Sequence, residues 1–208
     1  MGTDASADGR TVRILGVSCS PRAGKTTAAA LTTCLDAARE AAPDRVATEL
    51  IELAGLDIDG DLAAGLPPKP GRRDDFPPLV ARLADPAVGG IIIGTPVYMG
   101  GPTALGKAFL DRWTVFRKNG FALRNKVGAC LAVGGSRNGG QELAVVSVLV
   151  AMMYQEMVLV GSGQPFVHYG AAVLNDGKDS VAGDEAGLGM ARAVGKRVAE
   201  VVMRLKRE

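Results

Sequence analysis

The stretch RILGVSCSPRAGKTT, from Arg13 to Thr27, carries the strongest structural signal in this sequence. It begins as a short apolar strand, continues as a loop of small and hydroxylic residues, and ends at the start of a helix. The amides and hydroxyls of such a loop, together with the positive end of the helix dipole, solvate a phosphate dianion without a cluster of lysines. The stretch therefore predicts a phosphate cradle at the start of an α/β fold.

The same loop is one residue short of the Walker A pattern of nucleotide hydrolases. Cys19 stands where that pattern has its first glycine, and Pro21 removes an amide from the cradle. The pattern also needs an acidic residue after a later apolar strand to hold magnesium, but the candidate strand ends in Gly94-Thr95-Pro96. A nucleotide hydrolase is thus a weaker alternative. An ordinary strand-to-helix turn capped by Ser20 also stays open.

The composition is that of a globular protein with an ordinary core. The chain has 208 residues, of which 47% are hydrophobic and 22% charged, enough for one α/β domain. Its net charge of +2 and its aromatic content of 4% argue against a nucleic-acid or anionic-membrane surface. No apolar run is long enough to span a bilayer. We expect a mobile tail over residues 1–10 and a single domain over residues 11–208.

The three cysteines, Cys19, Cys34 and Cys130, are far apart in the chain. Their spacing matches neither a disulfide framework nor a metal-ligand cluster. We therefore expect no metal site and a reducing compartment, the cytoplasm.

Apolar runs alternate with helical segments along the chain. The predicted strands span residues 11–17, 46–53, 90–94, 127–133 and 157–160, and the predicted helices span 25–42, 78–84, 103–116, a segment ending near 155, and 188–206. This alternation implies parallel pairing with right-handed crossovers. It predicts a flavodoxin-like, doubly wound α/β fold: a five-stranded parallel sheet of order 2-1-3-4-5 between two helical layers. Residues 57–75 and 161–184 are predicted to be irregular.

In such a sheet a ligand lies beyond the carboxyl ends of the strands, between the first strand and the third. The loops after strands one, three and four should therefore be neighbours. In the second of these, TPVYMGG at 95–101, Pro96 fixes the turn and Gly100 allows backbone to approach a flat ligand. Tyr98 and Met99 suit the cover of a ring system, although both also fit ordinary core packing.

The loop after strand four, GGSRNGGQE at 134–142, combines four glycines with polar side chains. So flexible a loop is entropically costly unless its amides are needed. The alternative is a solvent-exposed glycine turn.

With these stretches in view, the chain resembles the iron–sulfur flavoprotein branch of the NADPH-dependent FMN reductase family. The matching stretches are GVSCSPRAGKTT, GIIIGTPVYMGGPTALGKAFLDR and RKNGFALRNKVGACLAVGGSRNGGQE, within residues 11–161. The resemblance implies a flavodoxin-like fold, tightly bound FMN, and a homodimer or homotetramer with the flavin near the subunit boundary.

The resemblance also assigns site residues in three groups. Ser18, Ser20, Arg22, Thr26 and Thr27 would hold the phosphate; Pro96, Val97, Tyr98, Met99 and Gly100 would line the ribityl chain and ring; and Gly134, Gly135, Ser136 and Arg137 would border the pyrimidine end. No catalytic side chain is implied, because the flavin carries the chemistry.

Two departures from the family pattern matter. Family members with a cluster carry four close cysteines between the second and third strands, whereas residues 56–76 contain none. Since a cluster needs close thiolates, we predict no iron–sulfur cluster, and the segment would instead shape or cover a pocket. Cys19 replaces a glycine of the family. Its thiol either has a pKa lowered by the helix terminus or simply fills a small space.

The resulting hypothesis is an FMN-dependent oxidoreductase that exchanges hydride with a small planar substrate. Among relatives, dehydrogenases of secondary metabolism make a chorismate-derived compound such as 2-amino-4-deoxychorismate a candidate substrate. The alternatives are an NAD(P)H-dependent flavin, quinone or nitroarene reductase and, from another class, a flavodoxin-like electron carrier.

Three side chains outside the loops are also assigned roles. His168, the sole histidine, is either a proton donor, if its segment folds back across the site, or a structural residue. Trp113 and Phe116 are expected at a subunit boundary or against the flavin.

Overall fold

A computed structural model describes residues 11–206. The predicted tail over residues 1–10 lies outside the described residues. The strands are β1 (Val12–Ser18), β2 (Val46–Glu52), β3 (Val88–Pro96), β4 (Val127–Gly134), β5 (Val158–Leu159) and β6 (Ala171–Leu174). The helices are α1 (Thr26–Ala41), α2 (Pro77–Ala84), α3 (Ala104–Asp111), α4 (Thr114–Lys118), α5 (Gln141–Met153) and α6 (Glu185–Leu205). Among these residues no helix has both the length and the apolar character needed to cross a membrane.

The sheet is parallel and has the order β2-β1-β3-β4-β5, as predicted. It differs from the prediction at its last position, which two short strands share. β5 pairs with the start of β4 and β6 with its end. The expectation that residues 161–184 are irregular is therefore wrong at Ala171–Leu174. This strand is only four residues long, too short for its pattern to be distinguished from a loop.

Two apolar layers enclose the sheet. Ile91 and Ile93 of β3 face the layer formed by α2, α3, α4 and α5, while Ile92 faces the layer formed by α1 and α6. All three isoleucines are fully buried. Each such burial contributes about 1.5 to 3 kcal/mol, so the continuous apolar run GIIIG sets the centre of the sheet.

Trp113 and Phe116 lie in the core, so the expectation of a boundary or flavin contact is wrong. They pack edge to face with each other, and Phe109 and Phe76 extend the cluster. The predicted helix 103–116 is divided into α3 and α4, and the division turns both rings inward.

The segment 57–75 packs against α3 and is held by its own charges. Arg72 pairs with Asp57, and the carboxylate of Asp74 accepts two hydrogen bonds from Arg112 of the helical layer, at 2.9 and 2.8 Å. A short 3-10 helix, Gly60–Ala64, lies within it. The arginines of this segment thus shape the segment itself.

Candidate functional site

The loops after β1, β3 and β4, named here the first loop (19–25), the second loop (97–103) and the third loop (135–140), meet at the carboxyl edge of the sheet. The first and second are joined through Cys19, whose amide donates to Gly94 O at 2.7 Å and whose carbonyl accepts from Thr103 Oγ1 at 2.6 Å. The second and third touch at two glycines, since a Cβ on Gly140 would lie 2.9 Å from Gly100 Cα.

The first loop leads into α1, and just before this helix Gly24 N donates to Glu52 Oε2 at 2.8 Å. Ser20 shapes the loop, because its hydroxyl accepts from Arg22 N at 3.0 Å and donates to Arg22 O. No side chain caps α1. Among the described residues, the amides of Thr26 and Thr27 make no hydrogen bond within the protein. Free amides at a helix N-terminus fit a phosphate group.

The side chains of Ser18 and Arg22, which were also predicted to hold the phosphate, differ in burial and in partners. Ser18, the last residue of β1, has a buried hydroxyl that finds no hydrogen-bond partner among the described residues. Arg22 Nη1 lies 2.7 Å from Asp179 Oδ1, and Lys25 Nζ lies 3.5 Å from Asp179 Oδ2. Asp179 thus places one negative charge between the two cations of the first loop.

Cys19 is buried under the first loop, against Gly106 of α3. Burial raises the pKa of its thiol to about 12. The interpretation of Cys19 as a thiol with a lowered pKa is therefore wrong, because desolvation outweighs the helix terminus. Its small side chain fills a small space.

The second loop is a tight turn that projects an apolar tip. Tyr98 and Gly101 exchange backbone hydrogen bonds of 3.0 and 3.1 Å, and the two residues between them, Met99 and Gly100, have φ values of 49° and 75°. A non-glycine residue in this region costs about 1 to 2 kcal/mol. Tyr98 is half-exposed and Met99 fully exposed, so neither packs in the core. Beneath them, Val97 N donates to Val133 O, and Pro96 ends β3.

The third loop is fastened on the side of β6. Gln141, which is buried, donates from Nε2 to Ser136 O at 2.7 Å. Arg137 Nη2 donates to Asp184 Oδ1. The guanidinium of Arg137 therefore lies on the opposite side of β4 from β3. Gly134 is packed against Gln141, whereas a Cβ on Gly135 would meet nothing within 4 Å, so backbone there is open to a ligand.

Asp184 is a site residue that the sequence reasoning missed. Its carboxylate also accepts from Leu174 N at 2.6 Å and from Gly187 N at 3.0 Å. Burial by itself raises the pKa of Asp184, but the hydrogen bonds from Leu174, Arg137 and Gly187 hold it below its usual value. An aspartate just before a helix is a visible N-cap signal, but its pairing with a residue 47 positions earlier is not.

A cavity of about 440 Å³ adjoins the third loop, and its lining includes Arg137, Asn138, Leu143, His168 and Met190. His168 Nδ1 lies 3.4 Å from Glu142 Oε1. The backbone of His168 is fixed by Ser162, whose hydroxyl accepts from His168 N at 2.9 Å. The segment after β5 thus folds back beside the third loop, and a role of His168 in the site stays a prediction.

An apolar stripe lies on the exposed face of α5 and adjoins the second loop. Its residues recur at helical spacing and are all exposed: Leu143, Val146, Val150, Met153 and Tyr154. A Cβ on Gly100 would lie 3.9 Å from Leu143 Cδ1, so the stripe continues to the Met99 turn.

The chain matches the family NADPH-dependent FMN reductase over residues 12–172. An iron–sulfur flavoprotein of Methanocaldococcus jannaschii is 35% identical over 94% of this chain and 100% of its own length. A NAD(P)H dehydrogenase (quinone) of Brucella anthropi is 35% identical over 60% of this chain and 67% of its own length.

Among solved structures, that of RosB with bound 8-demethyl-8-formylriboflavin-5'-phosphate has a TM-score of 0.71 at 16% identity, covering 95% of this chain and 81% of that one. At this identity the likeness concerns the fold. The family match and the full-length relative settle the membership: the chain belongs to the NADPH-dependent FMN reductase family, in its iron–sulfur flavoprotein branch, and is an FMN-dependent oxidoreductase.

Proposed function

We propose that the three loops bind FMN and that the protein uses it to pass hydride from NAD(P)H to a small planar acceptor. The observation that carries this proposal is the meeting of the first and second loops at Cys19, beside the free amides of α1. FMN supplies the hydride chemistry when bound, so the protein needs to supply only position and charge.

Each loop has one part in this proposal. The amides of Thr26 and Thr27, with Arg22, hold the phosphate. Pro96, Val97 and Gly100 line the ribityl chain, while Tyr98 and Met99 cover the ring; Gly134, Gly135 and Ser136 border the pyrimidine end through their backbone. Ser20 supports the first loop from within, through its hydrogen bonds to Arg22, and Ser18 ends β1 directly before the loop. Arg137 acts from behind the third loop, because its side chain is turned towards Asp184.

Comparison of FMN with riboflavin tests the phosphate site. Riboflavin lacks the phosphate, so we expect the apoprotein to bind FMN at least about 100-fold more tightly, as several charge-assisted hydrogen bonds would provide. Arg22→Met should weaken FMN binding and leave riboflavin binding unchanged. Arg39→Met, at the far end of α1, is the matched control. Equal affinities for FMN and riboflavin would refute the placement.

The acceptor class is supported by the relative named NAD(P)H dehydrogenase (quinone). Mixing the FMN-loaded protein with NADPH under argon tests this direction of transfer. Rapid bleaching of the flavin absorbance, followed by recovery on adding a quinone, is the expected result. Persistent yellow colour would instead favour the dehydrogenase of a chorismate-derived compound, and turnover only with a protein partner would favour the electron carrier.

We propose that the protein holds no iron–sulfur cluster. The support is the set of its three cysteines, which are all buried and lie in the first loop, in α1 and in β4. The purified protein should contain neither iron nor acid-labile sulfide. Free cysteines also fit a reducing compartment, and we propose the cytoplasm.

We further propose that the apolar stripe on α5 packs against the same stripe of a second copy. The run from Gln141 to Gln155 has a single charged residue, Glu142. A helix whose outer face is apolar is expected to bury that face against another surface. A two-fold interface pairs identical patches, and an uncharged stripe is self-complementary. Sedimentation should show a dimer for the wild type and a monomer for Val150→Glu, with Thr33→Glu on α1 as control. If Val150→Glu sediments with the same mass as the wild type, the apolar stripe on α5 is not the interface between the two copies.

A further inference from the structure

Asp184 joins three separate parts of the chain. Its Oδ2 accepts from the amide of Leu174, where β6 ends, and its Oδ1 accepts from the amide of Gly187 in the first turn of α6. The same Oδ1 accepts from the guanidinium of Arg137 in the third loop. The side chain of Asp184 is only 4% exposed.

Capping a helix does not require this arrangement. Thr103 caps α3 with one hydroxyl, which accepts from Gly106 N at 2.9 Å. Asp184 does more than cap α6, because its second oxygen accepts from Leu174 N and its carboxylate also pairs with Arg137. The space for its carboxylate is also kept free, because a Cβ on Gly187 would lie 2.0 Å from Asp184 Oδ2. The geometry therefore supports a role directed at Arg137.

Arg137 fastens the tip of a loop that is otherwise flexible. Glycines occupy positions 135, 139 and 140, and Asn138 has a left-handed φ of 58°. The base of the loop is held by Gln141 and by the amide of Asn175, which donates to Gly134 O at 2.9 Å. The pair between Arg137 and Asp184 adds a restraint at the tip, where Ser136 and Gly135 present their backbone.

We propose that Asp184 is a positioning residue for the flavin, acting through Arg137 to fix the third loop beside the pyrimidine end. This inference rests on the proposed function, in that the third loop borders the ring. A loop already held in its bound shape loses less conformational entropy on binding. Release of Arg137 should therefore weaken binding of the ring, whether or not the ligand carries a phosphate.

A double-mutant cycle tests the proposal. The variants are Asp184→Asn, Arg137→Met and the double variant, with the dissociation constants of FMN and riboflavin measured by fluorescence on the apoprotein. We expect each single variant to weaken both ligands about tenfold, which corresponds to about 1.4 kcal/mol. The double variant should be no weaker than the single ones. Arg22→Met, in contrast, should affect FMN alone.

The control is a more exposed pair of the same residue types at the opposite edge of the sheet, with 38% of the Asp85 side chain exposed. Asp85 accepts from the amide of Ala87 at 2.7 Å and pairs with Arg13 at the start of β1. Asp85→Asn and Arg13→Met should leave the affinities for FMN and for riboflavin unchanged.

The outcomes separate this inference from the proposed function. The inference fails if the wild type binds FMN but Asp184→Asn weakens binding as much in the Arg137→Met variant as in the wild type. Asp184 would then act only as a cap. It also fails if Asp85→Asn weakens FMN equally, since the effect is then general instability. A wild-type apoprotein that takes up no FMN overturns the proposed function and this inference with it.

Discussion

Arg22 in the first loop and Arg137 in the third loop are both paired with an aspartate from the connection between β6 and α6, but the two pairs differ in kind. Asp179, the partner of Arg22, has 39% of its side chain exposed, whereas Asp184, the partner of Arg137, has 4%. Asp184 also accepts from two backbone amides. Burial and shared donors make one pair a structural restraint, while the other is an exchangeable counter-charge near the proposed phosphate site.

Removal of each carboxylate should give the largest contrast. Asp184→Ala removes the cap of α6 and leaves the amide of Leu174 and the guanidinium of Arg137 without their acceptor, so the free energy of unfolding should fall by about 2 to 4 kcal/mol. Asp179→Ala should leave it unchanged, because an exposed pair contributes little. Urea unfolding of the apoprotein measures both. Similar losses for the two variants would remove the distinction.

Lowering the pH should also distinguish the contributions of Asp184 and Asp179 to the free energy of unfolding. Hydrogen bonds hold the pKa of Asp184 below its ordinary value despite burial, and the hydrogen bond from Arg22 lowers that of Asp179. A lowered folded-state pKa gives stability that is present at neutral pH and lost as the pH falls below about 4. In about 1 M salt the screening length is about 3 Å, so only the contribution of Asp184 to the pH dependence of the free energy of unfolding should persist.

The measurement is urea unfolding between about pH 6 and about pH 3 in low and high salt, with Asp184→Asn and Asp179→Asn beside the wild type. In high salt Asp184→Asn should show a weaker acid dependence than the wild type. Asp179→Asn should then behave as the wild type does. An equal response of both variants to salt would contradict the prediction.

The smallest expected effect concerns the affinity for FMN. If the phosphate competes with Asp179 for Arg22 and Lys25, Asp179→Asn should tighten FMN binding about two- to threefold in low salt, and the gain should vanish in high salt. Binding of riboflavin should not change. A weaker affinity for FMN would mean that Asp179 orders the first loop for its ligand.

The sequence predicted the parts of the fold that local patterns determine. GIIIG was assigned to the centre of the sheet because a continuous apolar run fits a strand covered on both faces. The order of the strands followed from the alternation of strands and helices. These patterns require no knowledge of distant residues, and the structure confirms them.

The remaining features depend on contacts between distant residues. The four residues of β6 gain their strand from pairing with β4. The pKa of the Cys19 thiol is set by its burial. Part of that burial comes from Gly106 of α3, which lies 87 positions later in the chain. The direction of Arg137 depends on Asp184. The meeting of the three loops was thus predictable, whereas the side of β4 to which Arg137 turns was not.

The shared edge of β4 has a consequence for how this scaffold can vary. Between β5 and β6 the chain leaves the sheet and returns at Ala171, and on the way it places His168 on the wall of the cavity. Val160 N still bonds to Gly128 O before the excursion, and Leu131 is in register with Ala171 after it. Changes in the length or sequence of the segment between β5 and β6 should therefore alter the shape of the cavity and leave the sheet unchanged.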